Sequence, residues 1–371
     1  MEPIRVLQIV GGMNMGGIEN FLMNIYRNID RNRVQFDFFI HNDEDAIFER
    51  EINELGGRVY KIPHITKSGH FQYIKNLRDF FEEHTEYKIV HCHRDELNGL
   101  VLKEVKRANI KVRIAHSHNT YPKYSSLIGK LYKNYYLSQI NKYSTKNFAC
   151  SEVAGKWMFG KNGNFEIIKN GIDIKKFEYN EEIRKLKREE LGLKDDEIVI
   201  THIGRFVLQK NHNFLVEIMK ELVKLNSKYK LLLIGNGELE KEIKEKIEKL
   251  NLEENIKILG VRKDISSILQ ATDLFILPSF HEGLPVTLVE AQGAGLKCFI
   301  SDSVTREIDL ECKLTEFISL NKSAQEWAEI IDNNKKYERK NTIEALRKHG
   351  YDMTQNAKEL ENLYIELHKN S

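Results

Sequence analysis

Two carboxylates, Glu282 and Glu290, stand eight residues apart in the segment FHEGLPVTLVEAQ, residues 280–292. Gly283, Leu284, Pro285 and a short apolar run separate them. Each ionised carboxylate accepts hydrogen bonds on two oxygens, so the pair suits a ligand with vicinal hydroxyls. Pro285 fits the first turn of a helix, whose open N–H groups favour an anion. Phosphate joined to vicinal diols describes a nucleotide sugar. A second group, Gly204-Arg205 with Lys210 five residues on, follows an apolar run. An arginine fork and a lysine point charge placed there can clamp a diphosphate. Any one of these features alone also reads as an ordinary loop with solvated charges. Their coincidence at strand ends favours the ligand.

The first half of the chain carries weaker signals. GGMNMGGIE, residues 11–19, is not GxGxxG and lacks an acidic partner at the end of the next strand, so a dinucleotide site has little support. Gly16 and Gly17 before a helix would let backbone approach an anion, or simply form a flexible turn. His91 and His93, then His116 and His118, have metal-ligand spacing but no carboxylate suited to complete a site, and no metal is expected. His91 and His116 read as packing residues. A neutral histidine at a cleft, donating to a sugar hydroxyl or polarising an acceptor, is the better functional reading.

These residues need strands to hold them. Strand-like runs fall at 5–10, 34–40, 59–62, 89–93, 112–116 and 147–150, and again at 198–203, 229–234, 256–259, 274–277 and 298–301. Helical periodicity lies between them. The alternation predicts an α/β protein of two doubly wound, Rossmann-like domains, with ligands at the carboxyl ends of the strands. The expected boundaries are an N-terminal domain over 1–168, a C-terminal domain over 169–350, and a final helix over 351–371 free to pack back on the N-terminal domain. The break falls at the Asn170-Gly171 turn signal.

At 371 residues, 41% hydrophobic and 30% charged, the chain has room for two cores, and a net charge of +2 argues against nucleic acid as a partner. Four separated cysteines without a CxxC pair suit a reducing cytoplasm. No signal peptide or membrane-spanning run is visible, so membrane contact would be peripheral. Val105–Ser151 contains nine Lys and Arg, no Asp or Glu, and six interleaved tyrosines. That composition suits an anionic membrane surface, with Lys123, Lys130 and Lys133 as its contacts, or equally a tyrosine-rich packing helix.

With these motifs assembled, the chain resembles the family 4 retaining glycosyltransferases of GT-B fold. The resemblance rests on GGIE (16–19), HSHN (116–119), ACSE (149–152), KNGID (169–173), GRFVLQKN (204–211) and EGLPVTLVEA (282–291). It implies two domains facing across a cleft, donor on the C-terminal side and acceptor on the N-terminal side. By that analogy Arg205 and Lys210, beside Gly204, hold the donor diphosphate. Glu290 takes the ribose diol, and Glu282 the hydroxyls of the transferred sugar. Gly283 and Leu284 present backbone N–H groups, His118 lies near the sugar, and Gly16 and Gly17 lie near the phosphates and acceptor. ISDSVTREID (300–309) departs from the family's glycine-rich segment, which leaves Glu307 without a family role. The implied reaction moves a hexosyl group from a nucleoside diphosphate, UDP favoured, to a glycan or lipid-linked hydroxyl in surface polysaccharide synthesis, without metal or other cofactor. A nucleotide-sugar 2-epimerase and a non-catalytic sugar-nucleotide-binding protein are the alternatives.

Overall fold

The computed structural model describes residues 2–14, 16–42, 45–119 and 126–371. The chain forms two compact units, Met1–Gly171 with Asp352–Ser371, and Ile172–Tyr351. In the first unit the strands are β1 (Ile4–Val10), β2 (Val34–Ile40), β3 (Val59–Lys61), β4 (Ile89–Cys92), β5 (Val112–Ser117), β6 (Lys146–Ala149) and β7 (Glu166–Ile167). They form one sheet in the order β3-β2-β1-β4-β5-β6-β7, every pair parallel. The second unit holds β8 (Ile198–Ile203), β9 (Tyr229–Ile234), β10 (Ile256–Gly260), β11 (Leu274–Leu277), β12 (Lys297–Ser301) and β13 (Thr315–Ile318). Their order is β10-β9-β8-β11-β12-β13, again all parallel.

Both sheets are covered on two faces, so their central strands are apolar runs rather than alternating ones. β2, VQFDFFI, is buried at every position. Its one charge, Asp37, is matched by the Arg5 guanidinium, the Tyr87 hydroxyl at 2.7 Å and the Arg58 backbone N–H at 2.8 Å. A buried carboxylate persists because its oxygens are so filled.

The last helix, Met353–Lys369, belongs to the first unit. Its buried Ala357, Leu360 and Tyr364 pack with the helix Gly17–Asn28 and the sheet. Where the chain passes itself, a Cβ on Gly171 would lie 2.8 Å from Met353 backbone atoms. Only glycine permits that approach. In each unit the switch in strand order falls between the first strand and its neighbour on the far side, β1/β4 and β8/β11. Ligands of such sheets bind at that point.

Candidate active site

In the second unit β8 and β11 are neighbours, with Leu274 opposite Ile200 and Phe275 opposite Thr201. Parallel pairing puts both carboxyl ends on one edge, so the loops after them must meet. They are stapled together: Phe280 N–H donates to Gln209 O at 2.9 Å, Gln209 Nε2 to His281 O at 2.8 Å and Asn211 Nδ2 to Pro278 O at 3.1 Å. Asn211 sits in the left-handed region, φ 57°, at the entry to the helix His212–Leu225. Lys210 thereby reaches Glu282, Nζ to Oε1 2.7 Å, with side chains only 16% and 8% exposed. Gly204 makes room for the lysine, because a Cβ there would lie 3.0 Å from Lys210 Cδ and Cε.

The other predicted residues fall around this pair. Arg205 is exposed and its guanidinium has no hydrogen-bond or ion-pair partner among the described residues. Gly283 and Leu284 lie in the loop between β11 and the helix Val286–Gly293, with Leu284 packed on the core. Pro285 occupies the N-cap and supplies no capping side chain, and in the first turn the Leu288 N–H donates to Pro285 O at 3.0 Å. Glu290, one turn further in, has no side-chain partner among the described residues, and burial pushes its carboxyl up to about 7.

Two groups escaped the sequence reading. The Thr287 hydroxyl and His202 Nε2 are buried without partners. His202 Nδ1 donates to Ile276 O at 2.9 Å, which leaves Nε2 bare, 3.2 Å from where a Gly204 Cβ would stand. A hydroxyl in the first turn after a loop proline was the available signal for Thr287. Nothing in the linear pattern distinguished His202 from a core histidine.

The first unit carries a separate pocket of about 470 Å³ at the carboxyl edge of β1 and β4. Val10, Ile18, Ile65, Leu97 and Tyr132 give it apolar walls, with Arg94 and Asp95 among its polar groups. Asp95 is held at φ 49°, a costly conformation for a residue with a side chain. Its Oδ2 accepts from Asn119 at 2.6 Å while Oδ1 is buried and unpartnered. Burial raises its carboxyl to about 6. Gly16 caps the helix Gly17–Asn28 in extended conformation, and the Glu19 carboxylate lies against it. Gly17 faces open space.

His91, His93, His116 and His118 meet at the ends of β4 and β5. His91, His93 and His116 each bring a nitrogen within 4.8 Å of the others, and of their six ring nitrogens only His116 Nε2 lacks a hydrogen-bond partner. Burial lowers all four, His118 to about 3, so they are neutral. His93 Nδ1 lies 2.8 Å from His118 Nε2.

The acid-free segment is less free than its composition suggests. Lys133 pairs with Glu96 at 3.7 Å, Lys146 pairs with Glu166, and the Arg113 guanidinium binds the carbonyls of Tyr143 and Ile110. Carboxylates absent from the segment reach it from other elements. Lys123 lies outside the described residues. Beside exposed polar residues such as Lys130, Asn134 and Lys142, the helix Leu127–Tyr143 exposes an apolar stripe: Leu127, Ile128, Leu131 and Tyr135 are 57–80% exposed and share one face by helical spacing. Among the described residues no helix is long and apolar enough to cross a membrane.

Two parallel-sheet α/β units with polar clusters at both switch points define a glycosyltransferase of GT-B type, and comparison with known proteins bears this out. Residues 15–176 match Glycosyltransferase Family 4, and residues 183–353 match Glycosyl transferases group 1. The chain is 34% identical over 368 residues to the "Putative glycosyltransferase EpsF" of Bacillus subtilis, covering 97% of this chain and 96% of that one. It therefore belongs to glycosyltransferase family 4 and is a hexosyltransferase of that type. Over 154 residues it is 35% identical to the Escherichia coli UDP-Gal:alpha-D-GlcNAc-diphosphoundecaprenol alpha-1,3-galactosyltransferase, covering 41% of this chain and 40% of that one. Among solved structures, Anabaena HepE in complex with UDP and glucose shares the fold at TM-score 0.71 and 19% identity, over 97% of this chain and 95% of that one.

Proposed function

We propose that the chain transfers a hexosyl group from a UDP-sugar to a hydroxyl of a lipid-linked or glycan acceptor, with retention, in the synthesis of a surface polysaccharide. The observation that carries this reading is the adjacency of β8 and β11, which gathers Arg205, Lys210, Glu282 and Glu290 on one sheet edge. The name of the Escherichia coli relative specifies UDP-galactose and a diphosphoundecaprenol-linked sugar, and HepE binds UDP with glucose. Both support the donor class, and the first supports the acceptor class.

In this reading Glu290, unpartnered among the described residues and raised in proton affinity by burial, receives the ribose diol. Arg205 and Lys210 meet the diphosphate, with the uncapped helix end and Thr287 beside them. Donor binding loosens the Lys210–Glu282 pair, freeing Glu282 for the hydroxyls of the sugar. The acceptor oxygen attacks the anomeric carbon from the face the diphosphate leaves, the carbon–oxygen bond to phosphate breaks, and the acceptor proton passes to a phosphate oxygen. The protein's contribution is position and stabilisation of the departing charge. The pocket beside Asp95 takes the acceptor, its apolar wall suiting an acceptor with a lipid or aglycone portion. The exposed apolar face of Leu127–Tyr143, with Lys130 and Lys142 on the same helix, suits contact with an anionic membrane surface.

A thermal-shift panel of UDP, GDP, ADP and their sugars tests the donor, since a ligand of the native state raises apparent stability. Stabilisation by UDP above the others, followed by sugar transfer in EDTA, is expected. Stabilisation by none of them, or a free epimerised sugar as the product, overturns the proposal.

A further inference from the structure

Three buried imidazoles, the part-buried His118, Gln8 and Tyr364 form one continuous hydrogen-bonded chain, and its direction follows from the way the Gln8 amide faces. Each imidazole is neutral, because burial penalises the charged form, and so bears a single N–H. Gln8 is fully buried, with its carbonyl toward His93 and its NH2 toward Tyr364. A carbonyl only accepts, so His93 carries its proton on Nε2, 3.0 Å from Gln8 Oε1. His93 Nδ1 is then bare, and His118 must donate to it from Nε2 across 2.8 Å. On the other side Tyr364 OH accepts from Gln8 Nε2 at 3.2 Å and therefore spends its own proton on His91 Nδ1 at 2.6 Å. His91 donates from Nε2 to His116 Nδ1 at 3.2 Å. The two ends of the chain, His116 Nε2 and His118 Nδ1, are the two buried ring nitrogens without a partner in this cluster.

We propose that Tyr364, Gln8 and His93 are positioning residues that fix His118 as its Nε2–H tautomer, so that Nδ1 offers a bare lone pair to a substrate hydroxyl. This rests on the reading of His118 as a residue beside the transferred sugar, and it reverses the sense expected from sequence: His118 accepts from the sugar rather than donating to it. Tyr364 enters the relay from the last helix of the chain, which gives the return of that helix to the first unit a role beyond packing. The device works through Gln8, whose amide would reverse every proton in the chain if it turned over. In the orientation found, Tyr364 supports the amide by accepting from its NH2 side and giving its own proton to His91.

The test is 15N histidine spectroscopy of the whole protein, in which bare and protonated ring nitrogens resonate in well-separated ranges. Loss of one signal set in His118→Asn assigns that residue. In the wild type, His91, His93, His116 and His118 are all expected as Nε2–H with bare Nδ1. In Tyr364→Phe, which keeps the ring and its packing, Gln8 is free to turn and His118 is expected to show averaged tautomers. A proton on Nδ1 of His118 in the wild type, an unchanged tautomer in Tyr364→Phe, or a stoichiometric transition metal in the purified protein overturns the relay. Transfer kinetics separate this from the underlying reading. With His118 mispositioned, kcat is expected to fall roughly 10- to 100-fold at unchanged KM for donor, by analogy with outer partners that orient histidine elsewhere. A shifted tautomer with unchanged kcat overturns the positioning role alone, whereas full activity in His118→Asn overturns the reading of His118 itself.

Discussion

Replacing Glu290 by Gln is expected to strengthen the unliganded protein while weakening its grip on nucleotide. The carboxyl is raised from an ordinary 4.5 to about 7 by desolvation, with no partner among the described residues to offset it. Each tenfold of proton affinity is worth about 1.4 kcal/mol, so the displacement corresponds to about 3 kcal/mol as an upper figure. Because the folded value lies above the unfolded one, protonation of Glu290 supports the fold fully below about pH 4.5. That support is lost as the pH rises through about 7. Glutamine has no such dependence. Urea unfolding of both proteins should therefore show the stability of Glu290→Gln gaining on the wild type by about 1–3 kcal/mol between pH 4.5 and pH 8. UDP should reverse the ranking, since a diol hydrogen-bonded to a charged carboxylate is worth about 1.5–3 kcal/mol and the amide recovers only part of it. Calorimetry near pH 7 in buffers of different ionisation heat should register proton release when the wild type binds UDP, and none in the variant. A wild type that binds UDP without releasing protons, or a variant whose stability difference is the same at both pH values, refutes the reasoning.

Other perturbations separate structural from chemical roles. Lys210→Met leaves the Glu282 carboxylate buried without its cation and should destabilise by about 3 kcal/mol in denaturant unfolding, while Lys210→Met with Glu282→Gln should recover most of that loss. Arg205→Ala should leave the unfolding midpoint unchanged, because the side chain is exposed, yet lower kcat by about 100- to 1,000-fold if it meets charge on the leaving diphosphate; a parallel loss of stability contradicts this. Asp95, raised to about 6, is expected to hold the acceptor only when ionised. The kcat/KM for acceptor should then rise through about pH 6, and Asp95→Asn should flatten that limb with donor KM unchanged. Leu127→Ser with Leu131→Ser should reduce co-sedimentation with anionic vesicles even at high salt, where a purely cationic contact would already have been screened.

The residues on which the donor-side proposal rests were legible in the linear sequence. The basic pair proposed to meet phosphate and the acidic pair proposed to meet hydroxyls each lie within one βα unit, where strand, turn and helix signals are local. The alternation of apolar runs with helical periodicity likewise announced two parallel sheets, although the edge strands β7 and β13 were missed. Glu166–Ile167 is only two residues long, and TEFI is too short for its pattern to stand out.

What tertiary structure alone decided depends on residues distant in the chain. The order of strands makes β8 and β11 neighbours, and that adjacency turns Lys210 and Glu282 into a buried ion pair whose members the sequence assigned to different parts of the ligand. Composition left the acid-free segment open between a cationic surface and a tyrosine-rich packing helix because it counts charges along the chain, while Glu96 and Glu166 pair with two of its lysines through space. The unpartnered oxygen of Asp95 and the tautomers set through Tyr364, Gln8 and His93 have no local signature at all. Residue type and spacing determine which groups are available and roughly which ligand they suit. Burial and hydrogen-bond partners determine their charge and proton position, and those follow only once the sheets have brought distant strands side by side.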